Sequence, residues 1–205
     1  MAGFAVADLD RLTTFYEVAR ATDRALIMTR KQAFFVDQLA GAQQFAAFDL
    51  RAPNVLIFAK EKQKTAAWEQ HLDDEYSDRI VGAADVRGMQ EESILVASLT
   101  DMLALPAIDP MPGSVYVLSQ SEPFDEEMEI SYDKLLGWLT QYGLPLFQVH
   151  ASGHASAHEL REAVEVVQPD RVFLIHTKNA PLYARFLEKL GHDVVQPVEG
   201  EAYAL

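Results

Sequence analysis

Apolar residues recur at helical spacing in some segments of the chain and form short uninterrupted runs in others. In residues 8–21, for example, Leu9, Leu12 and Phe15 share one helical face, and acidic residues occupy the first turn. The pattern predicts helices over residues 8–21, 31–39, 66–76, 132–142, 157–167 and 181–190. It predicts strands over residues 25–28, 55–59, 94–98, 115–118, 146–149, 172–175 and 194–195. Because short strands alternate with helices, we expect an α/β fold with a largely parallel sheet flanked by helices.

Two predicted loops begin with a histidine directly after a strand. His150 follows the apolar run that ends at Val149, and His176 follows the run that ends at Ile175. In open α/β sheets, ligands gather at the carboxyl ends of the strands. The two histidines are therefore the first candidates for a functional site.

The formal net charge of the chain is -14, from 17 basic and 31 acidic residues. A free-standing protein that binds duplex nucleic acid needs a basic surface to displace counterions, so this class is disfavoured. A local pocket for a single phosphate group is compatible with the same charge.

The chain contains no cysteine, which excludes disulfides, thiolate zinc sites and cysteine nucleophiles. Any transition metal would have to be held by His, Asp or Glu side chains. The first residues lack the pattern of a signal peptide, and no apolar run approaches the ~20 residues of a membrane helix. We therefore expect a cytoplasmic protein that does not enter the membrane.

The segment His-Ala-Ser-Gly-His-Ala-Ser, residues 150–156, joins a predicted strand to a predicted helix. Gly153 allows backbone amides to approach a ligand closely. Those amides, the Ser152 hydroxyl and the imidazoles of His150 and His154 suit an anion such as phosphate. The residues alone leave a second interpretation open, in which the segment is a helix cap with two surface histidines.

Ser156 and Glu159 have the spacing of a capping box, which would start the helix after the loop. That start places His150 and His154 in the loop rather than on the helix. His158 then lies on the helix, where we expect it to be exposed.

Two further segments carry candidate chemistry. His176, at the end of a buried strand, would present a neutral imidazole to zinc, or it would simply form a hydrogen bond at the strand end. Ser119 and Ser121 follow the strand predicted over residues 115–118 and precede an acidic turn. Their hydroxyls would contact phosphate or ribose, or they would bond the local backbone of an ordinary turn.

The order and spacing of three segments resemble those of ribonuclease J-like nucleases, especially archaeal members. These are metallo-β-lactamase-fold enzymes with a β-CASP domain. The segments are Ser-Glu-Pro-Phe at 121–124, His-Ala-Ser-Gly-His-Ala at 150–155 and Pro-Asp-Arg-Val-Phe-Leu-Ile-His-Thr at 169–177. Residues 8–20 are similar to the opening helix of the β-CASP domain.

The resemblance implies residue roles. The histidine that matches His154 contacts the scissile phosphate, and the one that matches His176 completes a site for two zinc ions. The residues that match His150, Ser152 and Gly153 hold a nucleotide phosphate.

The same resemblance implies an architecture and an activity. Residues 1–148 would form the β-CASP domain, and residues 149–205 the carboxy-terminal βαβ segment of the metallo-β-lactamase domain. The activity would be zinc-dependent hydrolysis of RNA, in which the metal ions generate hydroxide and stabilise the displaced oxygen.

Two features depart from the family pattern. Lys178 stands where an acidic residue usually follows the strand histidine, and the His-x-His-x-Asp-His zinc cluster is absent from the sequence. A single histidine does not hold zinc tightly, so we expect this chain to be inactive by itself.

The expected partners of the chain are RNA or a nucleotide phosphate and an amino-terminal metallo-β-lactamase half. Without that half, the exposed strands should drive formation of a homo-oligomer.

Two other functions stay open at this point. A non-catalytic α/β module that binds a nucleotide or a protein also fits the missing zinc cluster and the negative charge. A hydrolase with a different substrate could use the same scaffold, because a fold does not determine a substrate.

Overall fold

The computed structural model describes residues 1–40, 48–61, 64–150, 155–175, 177 and 179–203. The chain divides into two compact units, Met1–Ala151 and Ser152–Leu205. Both contain parallel strands and helices, so the α/β class and the parallel pairing are confirmed. The assignment of these units to particular domain families stays a prediction.

The first unit is built on a parallel sheet. Its strands are β1 (Ala2–Gly3), β2 (Ala25–Thr29), β3 (Val55–Phe58), β4 (Ile80–Val81), β5 (Ser93–Leu95), β6 (Tyr116–Leu118) and β7 (Leu146–Gln148). They pair in the orders β4-β3-β2-β5 and β1-β6-β7. A bridge between Ala2 and Val96 joins the two groups, and the Ala97 N–H donates to the Ala2 carbonyl oxygen over 2.9 Å. The order along the sheet is therefore β4-β3-β2-β5-β1-β6-β7.

Helices connect these strands, and three of them begin at residues whose side chains accept from an amide of the first turn. The helices are α1 (Leu9–Ala21), α2 (Arg30–Gln38), α3 (Ala67–Glu75), α4 (Ala83–Gly88), α5 (Leu105–Ile108) and α6 (Glu126–Gln141). The Asp8 carboxylate caps α1 by accepting from the Arg11 N–H over 3.0 Å. Thr29 and Gln32 form a reciprocal capping box at the start of α2.

Helix α6 begins earlier than the predicted start at residue 132. Asp125 caps it by accepting from the Met128 N–H over 2.8 Å, and Glu126, Glu127 and Glu129 occupy its first turn. Acidic side chains are favourable at a helix start because they interact with its positive end. The segment predicted as an acidic turn is thus the first turn of a helix.

The sheet is covered on both faces. Successive residues of β2 point to opposite sides, so Leu26 and Met28 enter one hydrophobic cluster and Ile27 enters another. Leu12 of α1 lies in the first cluster, and Leu135 of α6 lies in the second. The connection after β1 and the connection after β6 also run in opposite directions along the sheet. Their carboxyl ends form a topological switch point, where ligands bind in open α/β sheets.

Helices α2 and α3 are tied together by the Asp37 carboxylate. The Tyr76 hydroxyl donates to Asp37 Oδ1 over 2.7 Å, and His71 Nε2 lies 3.2 Å from Oδ2. Burial and the bond to Asp37 raise the pKa of Tyr76 to about 12. Burial would raise the pKa of Asp37, but its hydrogen bonds, led by that from Tyr76, lower it. These contacts hold α2 against α3.

The second unit is smaller and carries much exposed apolar surface. It contains α7 (Ala157–Val167), β8 (Val172–Phe173), α8 (Ala180–Lys189) and β9 (Val194–Val195). Strands β8 and β9 pair in parallel. No residue of α7 is buried. The strand predicted before His176 is shorter than expected and only half-buried, and Ile175 is 74% exposed. The expectation of a buried strand there is wrong, because no described layer covers it.

The packing of the Tyr116 ring over β1 requires a glycine at position 3. The Tyr116 side chain is buried, and its hydroxyl donates to the Ala97 carbonyl oxygen over 2.7 Å. To reach it, the ring passes directly over Gly3, where a Cβ would overlap the tyrosine hydroxyl. One side chain therefore links β6 to the end of β5 across β1. Burial raises the pKa of Tyr116 well above its usual value, so the hydroxyl stays protonated as a donor.

We predict that Gly3→Ala destabilises the first unit by about 1–3 kcal/mol, because the added methyl group displaces the ring of Tyr116. Gly137→Ala is the matched control. Gly137 lies in the interior of α6 with open space around it, so the same change should stabilise the unit by about 0.5–1 kcal/mol. Urea unfolding followed by tryptophan fluorescence measures both effects, since Trp68 and Trp138 belong to this unit. Equal stability of Gly3→Ala and the parent chain would contradict this account.

Candidate functional site

The carboxyl ends of β1, β6 and β7 lie side by side at the switch point. The Ser119 N–H donates to the Gly3 carbonyl oxygen over 2.8 Å, and the Val149 N–H donates to the Leu118 carbonyl oxygen over 2.9 Å. The parallel ladder thus continues just beyond the strands. Ser119 and His150 follow neighbouring strands, which are about 4.8 Å apart in such a sheet. Two of the predicted site residues therefore lie at the same edge of the sheet.

His150 is exposed and contacts a cation. Arg11 Nη2 lies 3.3 Å from His150 Nδ1. A guanidinium has only N–H donors, so Nδ1 is the acceptor in this hydrogen bond. The ring proton then resides on Nε2, on the opposite side of the imidazole. The contact with Arg11 is compatible with the tautomer of His150 that presents an Nε2–H donor to a ligand.

Helix α1 positions Arg11. Asp8 caps the helix, and its Oδ2 atom lies 3.7 Å from Arg11 Nε. The cap and the ion pair hold the guanidinium in the first helical turn, beside the end of β7. The site thus places a positive charge next to an exposed imidazole, an arrangement suited to an anionic group.

Ser119 and Ser121 have different environments. Ser119 is 6% exposed, whereas Ser121 is exposed in the loop that leads to α6. No hydrogen bond between either serine and His150 is formed within the described part of the chain. Ser119 therefore belongs to the edge that carries His150, and Ser121 lies farther along its loop.

A crevice of about 400 Å³ opens at the same switch point, between the loops after β1 and β6. Its walls include the apolar side chains of Phe4 and Leu118. Asp125 and Glu127 are the carboxylates at its rim. A crevice with carboxylates suits hydroxyl groups or cations better than a phosphate group. The phosphate-compatible groups are those of the neighbouring Arg11–His150 pair.

The remaining predicted site residues, Ser152, Gly153, His154 and His176, lie outside the described residues. Their roles stay predictions. Ser119, Ser121 and His150 belong to the first unit.

The helix after the histidine loop begins as predicted. The Ser156 hydroxyl accepts from the Glu159 N–H over 3.3 Å, and Glu159 accepts from the Ser156 N–H over 2.6 Å. This capping box is confirmed. The bond from the Ser156 backbone lowers the pKa of Glu159. His158 is exposed and lies 3.3 Å from Glu162, as expected for a helix-surface histidine.

A zinc site is not assembled by the residues that the structure describes. Among them, no group of three or more His, Asp or Glu side chains is arranged to hold a metal ion. His176, to which the resemblance assigns a ligand role, is outside this set. A zinc centre would therefore need ligands from outside the described residues.

No helix in the described ranges is long and apolar enough to cross a membrane.

Sequence reasoning missed Arg11 as a site residue. Its contact with His150 joins residues that are 139 positions apart, so no local motif reports it. The available signal was weaker: a basic residue in the first turn of the helix after β1, facing the switch point.

Comparisons with known proteins support the fold but do not indicate an activity. No protein family matches the sequence, and no curated protein matches it. A solved structure, described as "Crystal Structure of a Protein of Unknown Function from Enterococcus faecalis V583", superposes with a TM-score of 0.56 at 16% identity. The alignment covers 98% of this chain and 40% of that chain, so our chain spans well under half of its neighbour. At this identity the match shows a shared α/β fold.

Proposed function

We propose that this chain is the phosphate-binding and β-CASP part of a zinc-dependent metallo-β-lactamase-fold ribonuclease, and that it is inactive by itself. The observation that carries the proposal is the Arg11–His150 pair at the carboxyl edge of the sheet. It stands directly before the Ser-Gly-His segment that resembles the family's phosphate motif. Ser119 follows the neighbouring strand on the same edge.

The proposed chemistry begins with phosphate capture. Arg11 provides a positive charge, and it leaves the Nε2–H of His150 as a donor for a nonbridging phosphate oxygen. In the proposal, His154 adds a second imidazole that stabilises charge on the phosphate during cleavage. Bound zinc would supply the hydroxide nucleophile. Its ligands other than His176 would come from an amino-terminal metallo-β-lactamase half.

The net charge of -14 limits how RNA can bind. General attraction to a polyanion is unfavourable, so affinity must come from a few positioned cations and donors. We therefore expect modest affinity from this chain alone, with a large share resting on Arg11 and His150.

Binding of a fluorescently labelled short single-stranded RNA tests this proposal. His150→Ala and Arg11→Ala should each weaken binding by about ten- to a hundredfold, because each removes a charged or charge-assisted hydrogen bond worth about 1.5–3 kcal/mol. His158→Ala is the matched control, since that histidine is exposed on α7 and paired with Glu162. Fluorescence anisotropy measures all three variants. If His150→Ala binds RNA as well as His158→Ala does, the phosphate role of His150 is wrong.

The same proposal predicts which protein hydrolyses RNA. The chain joined to a metallo-β-lactamase half with bound zinc should cleave RNA, and His154→Ala and His176→Ala should abolish cleavage. A joined protein that holds zinc but leaves RNA intact would rule the nuclease out.

A non-catalytic nucleotide-binding module is the second candidate. The observation that favours it is the crevice at the switch point, whose carboxylates Asp125 and Glu127 suit the hydroxyls of a ribose better than a phosphate. This candidate predicts saturable binding of a mononucleotide and no cleavage by the joined protein.

We also propose that the second unit needs an apolar partner surface. Leu160 and Val167 recur at helical spacing on α7 and are 45% and 70% exposed. Leu182 and Phe186 of α8 are 56% and 40% exposed. A solvated monomer rarely leaves such a cluster uncovered. The proposed cover is the metallo-β-lactamase half and, in its absence, a second copy of this chain.

Light scattering tests the partner proposal. The chain alone should form a dimer or larger species. Leu160→Glu combined with Val167→Glu should shift it towards monomer, because charge on this face opposes its burial. Val18→Glu, at an exposed apolar position of α1, serves as the control and should leave the mass unchanged. A strictly monomeric parent chain would contradict the proposal.

A further inference from the structure

We propose that a second cavity on the same edge of the sheet binds the phosphate and base of a nucleotide. We call it the cationic cavity. It lies at the carboxyl ends of β2, β3 and β5 and has a volume of about 300 Å³. Its defining lining residues are Arg30, Lys31, Lys60, Trp68, Glu69 and Asp101. This site is separate from the Arg11–His150 pair, and the resemblance assigns no role to its residues.

Two cations of this cavity are held in place by carboxylates. Arg30 Nη2 lies 2.6 and 2.8 Å from the two carboxylate oxygens of Asp73. Lys60 pairs with Asp101 and donates to the Thr100 carbonyl oxygen over 3.2 Å. Lys31 is exposed and forms no ion pair with any residue that the structure describes. Two cations are thus positioned and the third is available.

One lining residue of the cavity has a buried donor that lacks an acceptor. Arg30 lines the cavity, and its Nε atom is buried without a hydrogen-bond partner among the described residues. Unpaired buried donors are costly, so a ligand that brings acceptor oxygens is favoured here.

The acids of the cavity do not meet this need. Asp101 Oδ2 accepts from the N–H and the hydroxyl of Ser98, each over 2.7 Å. Glu69 Oε2 accepts from the Ala66 N–H over 3.1 Å. Both carboxylates are engaged in helix capping, whereas Lys31 and the Arg30 Nε–H remain as donors. An oxyanion is therefore the chemistry that completes the cavity.

The aromatic side chain of Trp68 favours a nucleotide over an oxyanion that carries no base. Its half-buried indole forms part of the cavity wall and is held by Phe34, with ring centroids 5.4 Å apart. Bases stack on aromatic side chains with little regard to sequence. The volume is at the lower end of the ~300–1,000 Å³ range of ligand sites, so it suits one phosphate and one base. A nucleoside monophosphate and a nucleotide within single-stranded RNA share this chemistry.

The position of the cavity allows a free nucleotide to be distinguished from a nucleotide within single-stranded RNA. Strand β2 is separated from β7 by β5, β1 and β6, so the cavity and His150 are about 19 Å apart at ~4.8 Å per strand. A single-stranded RNA of several nucleotides can contact both places, whereas a mononucleotide can occupy only one. That RNA is the natural ligand rests on the proposed function; binding of a nucleotide in the cavity does not.

Trp68 is also a probe of the site. In a Trp138→Phe background it is the remaining tryptophan of the chain. We expect AMP to quench its fluorescence in a saturable manner, and inorganic phosphate to compete with AMP. Lys31→Ala should weaken AMP binding roughly tenfold, since it removes one charge-assisted contact. Lys134→Ala, which removes the same charge from an exposed position of α6, should leave it unchanged.

His150→Ala separates this inference from the proposed function. AMP quenching of Trp68 should survive His150→Ala, while binding of labelled single-stranded RNA should weaken in both His150→Ala and Lys31→Ala. If only Lys31→Ala affects RNA, the cavity stands and the phosphate role of His150 fails. If Lys31→Ala matches Lys134→Ala in both assays, or AMP does not perturb Trp68, the cavity is not a nucleotide site.

Discussion

The crossing of Tyr116 over Gly3 is the contact on which the functional edge depends. Strand β1 is only two residues long, yet it is the strand through which β5 and β6 are joined. We call the junction of β5, β1 and β6 the seam. Backbone hydrogen bonds alone would hold it only weakly, because β1 is so short. The Tyr116 hydroxyl closes it by bonding the Ala97 carbonyl on the far side of β1. The absence of a side chain on Gly3 is what allows the ring to lie there.

This seam also sets the register of the strand ends that carry chemistry. Gly3 pairs with Leu118, and Leu118 pairs with Gln148, so the loops after β1, β6 and β7 leave the sheet at one level. Arg11 enters from the helix after β1, and His150 from the loop after β7. A shift of one residue in this register would turn the side chains of a strand to the opposite face. The pairing of a cation with an imidazole is therefore a consequence of how the sheet closes at its centre.

The proposed binding of phosphate has to be reconciled with the negative charge of the chain. The chain is strongly acidic as a whole, but the carboxyl edge of the sheet carries Arg11, Arg30, Lys31 and Lys60. Most of these cations are held by neighbouring carboxylates, which fixes their positions and reduces their field at a distance. Such an arrangement favours contacts at defined points over a general attraction to a polyanion.

Local signals predicted much of the fold, and contacts between distant residues account for what they missed. Helix α7 and its capping box were predicted from Ser156 and Glu159, because a helix cap depends on residues that are close in the sequence. The two-residue strands β1 and β4 were missed, since so short a strand has no periodicity and exists only through its partners. The apolar run before His176 predicted a buried strand, but a sequence does not reveal what covers a surface.

The candidate site was predictable to a similar degree. His150 and Ser119 were found because each directly follows a strand, whereas their basic neighbour on α1 is visible only in three dimensions.

The most direct test of the account is an amide chemical-shift map of the chain during titration with a single-stranded RNA of several nucleotides. The account predicts shifts concentrated at the carboxyl edge, around Ser119, His150 and Lys31. Shifts confined to the opposite edge of the sheet, around Arg24 and residues 111–115, would contradict it, as would a map without any saturable change.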